Sequence, residues 1–180
     1  MNLTETRISG ETIFEGKVFT VQRDRVRLPD GREAEREVIR HPGGVGVLAL
    51  DAENRIIMVK QYRYAIRKVL LEIPAGRREP DEDPLQTGLR ELREETGYRA
   101  ARIEPLGEMI STGGYDSEQI TLFLARGLTP GETDFDDGEF VETVLIPFDE
   151  AVQKVMSGEI IDGKTAFAIL KAHVMLASKK

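Results

Sequence analysis

The sequence predicts a mixed α/β domain of the α+β kind: a mixed β-sheet flanked by helices, preceded by a small antiparallel β-hairpin subdomain. Three observations predict it. Short alternating or apolar runs recur along the chain, three stretches carry helical spacing, and the two kinds are interspersed without the regular alternation of a parallel doubly wound sheet. The 180 residues suit one ordinary domain carrying a small appendage. Hydrophobic residues at 40% and charged residues at 32% give a core to bury and a solvated surface, which excludes disordered and fibrous classes.

The first elements are extended. "TIFEGKVFTVQRDRVRL" and "REAEREVIR" flank Pro29-Asp30-Gly31, a strong turn signal, and together predict a hairpin. His41-Pro42-Gly43-Gly44 then breaks the chain, so the expected division is a β subdomain over 1–41 and a main domain over 42–180. "VGVLAL" and "RIIMVKQYRY" follow as strands on either side of the polar turn Asp51 to Asn54, and "VLLEIPAG" reads as a short strand stopped by Pro74. Strand-like segments recur around 101–110, 118–126 and 140–147. Phe148 to Ser157 and Lys164 to Ser178 carry helical spacing, with Asp149 and Asp162 near their starts.

The remaining helix lies in "GRREPDEDPLQTGLRELREETGY", from Gly76 to Tyr98. Asp83 suits the N-cap, Pro84 the first helical position and Gln86 a capping-box partner, while Gly97 offers the flexible residue that ends a helix. Leu85, Leu89, Leu92 and Thr96 form the apolar face, and helical geometry turns Glu91, Glu94 and Glu95 away from it as a carboxylate cluster. Like charges at this spacing cost about 0.2–0.5 kcal/mol each. The negative end of the helix dipole adds roughly 0.3–1 kcal/mol. Two readings offset that cost. Arg90 and Arg93 neutralise a solvated face, or a hard divalent cation takes the carboxylates as oxygen ligands.

Bulk composition narrows the partners. A net charge of -7 argues against a general nucleic-acid surface. No stretch resembles a membrane span, and the opening MNLTETRISGETIF lacks the basic start and apolar run of a secretory signal, so the expected location is cytoplasmic. With no cysteine there are no disulfides, thiolate metal sites or Cys nucleophile.

Gly76, Glu82, Arg90-Glu91-Leu92, Glu94-Glu95 and Gly97 match, in order and spacing, the signature G-x5-E-x7-R-E-U-x-E-E-x-G-U of the Nudix hydrolases, which the chain therefore resembles. It departs only at Tyr98, which stands in the final bulky-aliphatic place. The resemblance implies a Nudix fold, with the mixed sheet sandwiched between helices, and hydrolysis of a nucleoside diphosphate linked to another group. It implies Mg2+, or Mn2+, held by Glu91, Glu94 and Glu95 with the carbonyl of Ala75, and a Glu82–Arg90 pair bracing loop against helix. Glu94 and Arg90 thereby join the expected catalytic set.

Beyond this box, "HPGGVGVLAL", "VKQYR", "LEIPAG", "TGGYDSE" and "DDGEFVE" are similar to the ADP-ribose pyrophosphatase branch. The branch's usual Ser-Pro-Gly is replaced by Thr112-Gly113-Gly114, with Gly113 in the marker proline's place, which leaves other nucleotide sugars such as GDP-mannose open. By the same resemblance Glu139, in the acidic loop from Asp136, is the favoured general base and Glu118 the other leading acid. Phe19 and Arg36, Arg63 and Gly114 are substrate contacts, and Tyr115 is a further stacking residue. Equally ordinary readings stand beside these: Phe19 as core, each arginine in a surface ion pair, the acidic loop as a solvated turn. His41 and His173 look incidental. A two-stranded ribbon is marginal alone, and in this branch such strands are exchanged between subunits, so a homodimer is expected. The alternative function is a non-catalytic Nudix-like module that senses a nucleotide sugar.

Overall fold

The computed structural model describes residues 1–135, 138 and 140–178. The chain divides into two compact units, 1–43 with 110–119, and 44–109 with 120–180.

The first unit holds an antiparallel sheet of β1 (Thr6–Glu15), β2 (Thr20–Arg27) and β3 (Glu33–Arg40), in that order. The hairpin expected across Pro29-Asp30-Gly31 is β2–β3, paired from Thr20↔Arg40 to Arg27↔Glu33. The structure adds a third strand. "TIFEGKVFTV" does not run through as one strand but folds back at Gly16, whose N–H donates to the Phe19 carbonyl at 3.0 Å, and β1 pairs with β2. One sheet face carries the cross-strand pairs Arg23↔Glu37, Arg25↔Glu35 and Arg27↔Glu33. Val26 is the buried hydrophobic residue of this unit among the described residues, and every residue of β1 is exposed. The sheet therefore lacks a core of its own. The segment after Ile110 packs against the end of β3: Ile39 N–H donates to Tyr115 O at 2.8 Å and Ser117 N–H to Ile39 O at 3.0 Å.

The second unit is built on a seven-stranded mixed sheet, ordered β10 (Val141–Pro147), β5 (Arg55–Arg63), β4 (Gly44–Leu50), β9 (Gln119–Thr129), β8 (Arg99–Ile110). β6 (Lys68–Glu72) pairs with β5 and β7 (Ala75–Arg77) with β4. β4 and β9 run parallel, whereas β4–β5, β5–β6, β4–β7 and β5–β10 are antiparallel. Every residue of β4 is buried because both faces of the sheet are covered. Its alternation sorts two cores. Val45, Val47 and Ala49 join Leu92 of α1 (Pro84–Thr96), with Phe123 and Ala125. Leu48 and Leu50 join Ile56, Met58, Leu122 and Leu124 beneath α2 (Phe148–Met156) and α3 (Gly163–Ala177). This is the mixed sheet between helices that the sequence predicts. No helix among the described residues is long and apolar enough to cross a membrane.

The helix ends follow local chemistry. The Asp83 side chain caps α1 by accepting from Leu85 N–H at 2.8 Å, Pro84 opens the helix, and Gln86 is exposed. Asp162 caps α3 by accepting from Thr165 N–H at 3.0 Å. Gly97 closes α1 in the left-handed region, φ 75°, with its N–H donating to Arg93 O at 2.7 Å. A side chain there would be strained and would run into the Gly131 carbonyl. Gly97→Ala is expected to lower stability by more than about 1 kcal/mol, read as a reduced urea midpoint with an unchanged slope.

Candidate active site

Packing corrects one expectation about α1. The face of the helix turned to the sheet is Thr87, Gly88, Leu92, Glu95 and Thr96, so Glu95 does not point away from the core with its neighbours. It is 2% exposed. An ionised carboxylate is tolerated there only with hydrogen bonds, and the backbone supplies one: Ala75 N–H donates to Glu95 Oε2 at 3.0 Å. Thr143 of β10 holds the same turn by donating from Oγ1 to the Glu95 carbonyl at 3.2 Å.

Gly76, one residue on, lies against Glu91. A methyl group on Gly76 would occupy the space of the Glu91 carboxylate, so the glycine makes a cradle that only a bare Cα allows. The two acids thus clasp the Ala75-Gly76 strand from one helix.

Arg90 ties the rest together. Its Nε and Nη2 donate to the two oxygens of Glu82 at 3.1 Å each, and Nη1 donates to Glu91 Oε1 at 2.7 Å and Glu94 Oε2 at 2.9 Å. Arg93 donates to the other Glu94 oxygen at 2.9 Å. Glu82 also accepts from Thr87 Oγ1 at 2.8 Å and from Glu79 N–H at 3.3 Å. These donors, Arg90 foremost, hold the Glu82 carboxyl at about 2 against an ordinary 4.5. In return the Arg90 guanidinium is held above its already high value, first by Glu82.

The donor set fits a hard divalent cation: three carboxylates, all oxygen, at the end of one helix, with a peptide strand pressed against two of them. Among the described residues, no three acidic or histidine side chains already converge on one point. The reason is visible in the bonds just given. Arg90 Nη1 stands between Glu91 and Glu94, and Glu95 is turned to the Ala75 amide.

The other expected site residues fall as follows. Arg63, at the end of β5, gives a two-pronged pair to Glu72, with Nε to Oε1 and Nη2 to Oε2 both at 2.7 Å. Glu72 is 1% exposed. Burial raises its pKa, but hydrogen bonds from Arg63 and the Lys164 and Arg63 charges outweigh this and leave it lowered. In the first unit, Arg36 makes a two-pronged pair with Glu5 at 2.9 and 2.6 Å. Phe19 is exposed rather than part of a core, and its ring lies 6.0 Å from that of Phe14, tilted by 49°. Gly114 and Tyr115 are exposed, and a methyl at Gly114 would meet only open space. Glu118 Oε1 lies 3.5 Å from His41 Nδ1. His41 is less incidental than its place in the sequence suggests: its ring Nδ1 accepts from Gly43 N–H at 3.1 Å, and its backbone N–H donates to Ser117 Oγ at 3.0 Å. Glu139 and Asp136 lie outside the described residues.

A mixed sheet that presses a Gly-bearing strand onto a helix reading R-E-L-x-E-E defines a Nudix hydrolase, and the chain belongs to that family. The NUDIX domain model matches residues 40–164, and the model for the nucleoside diphosphate sugar hydrolase N-terminal domain matches residues 5–39. Among its relatives, the chain is 44% identical over 177 residues to a methanol dehydrogenase activator of Bacillus methanolicus, covering 97% of this chain and 96% of the relative. It is 42% identical over 170 residues to an ADP-ribose pyrophosphatase of Bacillus subtilis (strain 168), covering 93% and 92%. A crystal structure of an ADP compounds hydrolase superposes with a TM-score of 0.86 at 20% identity, covering 99% of this chain and 98% of that one.

Sequence reasoning missed Glu72, Lys164 and Thr165. The one signal was an acid, Glu72, set inside the apolar run "VLLEI". For Glu82 the sign of the pH dependence is fixed: a carboxyl lowered in the fold stabilises fully above its unfolded value, and the contribution disappears as pH falls from about 4.5 toward about 2. Replacing Glu82 with Gln is therefore expected to cost about 1–2 kcal/mol near neutrality. In urea titrations the gap from the parent protein should close across that acid window.

Proposed function

We propose that the protein hydrolyses the diphosphate bond of ADP-ribose or a related nucleoside diphosphate sugar, giving AMP, or the corresponding nucleoside monophosphate, and a sugar phosphate. The observation that carries this reading is the clasp of Glu91 and Glu95 on Ala75-Gly76 beside Glu94. It sets two carboxylates against one strand corner of a Nudix hydrolase, with Glu94 tied to Glu91 through Arg90. The relative named ADP-ribose pyrophosphatase and the match to a nucleoside diphosphate sugar hydrolase N-terminal domain support the substrate class.

In this reading Glu91, Glu94 and Glu95, with the Ala75 carbonyl, hold Mg2+ or Mn2+. When bound, the ion supplies neutralisation of the phosphate charge and acidification of water. The chain's own groups do the rest. Arg90 holds Glu91 and Glu94 close together before the ion arrives, with Glu82 holding Arg90 itself in place. Arg63 and Arg36 present guanidinium edges to phosphate and ribose oxygens. Phe19 stacks on the base, and Gly114 leaves room for the substrate. Glu139 takes the proton as a water oxygen bonds to phosphorus and the bridging P–O bond breaks. Glu118 is the second acid for that role. A sheet with a single buried apolar side chain gains by covering its exposed β1 face, which supports a homodimer through residues 1–41. The main Nudix domain is then 42–180.

Incubation with a panel of nucleoside diphosphate sugars and magnesium, with products identified, is expected to yield a nucleoside monophosphate and a sugar phosphate. A protein that binds a panel member without cutting it would be the sensor instead. Glu95→Gln is expected to lower kcat at saturating magnesium by about a hundredfold or more, and unchanged turnover would remove Glu95 from the site. Light scattering at micromolar concentration should give the mass of two chains, and a strictly monomeric species would remove the dimer.

A further inference from the structure

One cluster has no role above apart from that of Arg63. Glu72 ends β6 inside the second unit, and its carboxylate receives three donors: Arg63 Nε, Arg63 Nη2 and Lys164 Nζ. Lys164 also donates to Asp162 Oδ2 at 3.0 Å, and Asp162 is the N-cap of α3. Thr165 closes the ring by donating from Oγ1 to Asp162 while accepting Ile73 N–H at 2.9 Å. Glu72, Lys164 and Thr165 are all buried.

Two acids and two cations make the cluster neutral, yet Arg63 alone would neutralise Glu72. Lys164 is buried and Asp162 partly so, and taking such ions out of water costs free energy before their mutual attraction, so an apolar replacement is often as stable. Stability alone is therefore a weak reason for Lys164. Geometry gives a stronger one. Lys164 and Thr165 bind successive residues, the Glu72 side chain and the Ile73 amide, so the first turn of α3 fixes the strand just ahead of Pro74 and Ala75. That strand is gripped from its other side where Val47 N–H donates to Pro74 O at 2.9 Å and Ala75 N–H to Glu95. Arg63 is joined to the first of these holds through Glu72. Its side chain is 40% exposed over a Glu72 side chain that is 1% exposed, and two of its N–H groups are turned inward. A guanidinium carries five such donors, so its outer edge has more to offer an anion.

We propose that Lys164, working through Glu72, is a positioning residue that aims the outer edge of Arg63 at the substrate's diphosphate. The inference rests on the reading of Arg63 as a diphosphate contact. Lys164 draws Glu72 toward α3, and the two-pronged pair carries that placement to the guanidinium plane. Without Lys164 the carboxylate keeps Arg63 as its sole cation and pulls the fork inward.

The test is a double-mutant cycle on the full chain, read as the calorimetric Kd for ADP with magnesium, a diphosphate that need not be cut. Lys164→Met is expected to weaken ADP binding about tenfold and to raise KM alike, with kcat changed less than about threefold. Lys164→Arg should restore most of the loss. In an Arg63→Ala background, Lys164→Met should weaken binding no further. Should the full tenfold loss persist there, or should Lys164→Met bind as the parent does, the positioning role is overturned while the Arg63 reading stands. If Arg63→Ala alone leaves ADP affinity unchanged, the diphosphate contact fails and the inference falls with it. Should Lys164→Met not fold, Lys164→Gln runs the same cycle, since its amide can still donate to Glu72 but carries no positive charge to draw it toward α3, and the same outcomes decide.

Discussion

Like-charge repulsion at the end of α1 is the constraint from which the site is built. Three glutamates within five residues repel one another and face the negative end of the helix, at a combined cost on the order of 1–2 kcal/mol. A charge-assisted hydrogen bond returns roughly 1.5–3 kcal/mol. Arg90 makes such bonds to Glu91, Glu94 and both oxygens of Glu82, so one guanidinium outweighs the repulsion without any ion. The turn therefore needs no ion to offset its own repulsion.

The same guanidinium explains why the acids do not yet form a closed cage. A cation at the cluster must compete with Arg90 Nη1 for Glu91 and Glu94, and with the Ala75 amide for Glu95. A preformed, empty cage of three carboxylates would suffer the full repulsion whenever the ion left. Holding them on an internal arginine offsets that repulsion with no ion present.

What was legible in the sequence was local. Asp83, Pro84 and Gly97 mark the ends of α1 because caps act over a few residues, and Pro29-Asp30-Gly31 marks its turn for the same reason. The turn from Gly16 to Phe19 escaped notice because Gly-Lys-Val-Phe lacks the Pro, Asn or Asp that usually punctuates one. Glu95 was misplaced for a different reason. Periodicity gives angles around a helix but not the direction of the sheet, and the buried stripe is centred on Gly88, Leu92 and Glu95 rather than on the leucines alone. The partnership of Glu72 with Lys164 joins positions 92 residues apart. No local rule connects them.

That distant partnership bears on how the two halves of the site are kept in register. The clasp on Ala75-Gly76 comes from α1, on the face of the sheet whose core includes Leu92, while the hold on Glu72-Ile73 comes from α3, whose Ala168 and Ile169 belong to the other core. A single stretch, Glu72-Ile73-Pro74-Ala75-Gly76, is thus gripped by helices from both layers. Pro74 contributes a fixed φ at its centre, with no backbone N–H of its own to satisfy. Side chains that must meet a diphosphate need placement to a fraction of an ångström. A strand corner fastened by buried ionic and backbone hydrogen bonds to two separately packed helices meets that need better than a free loop would.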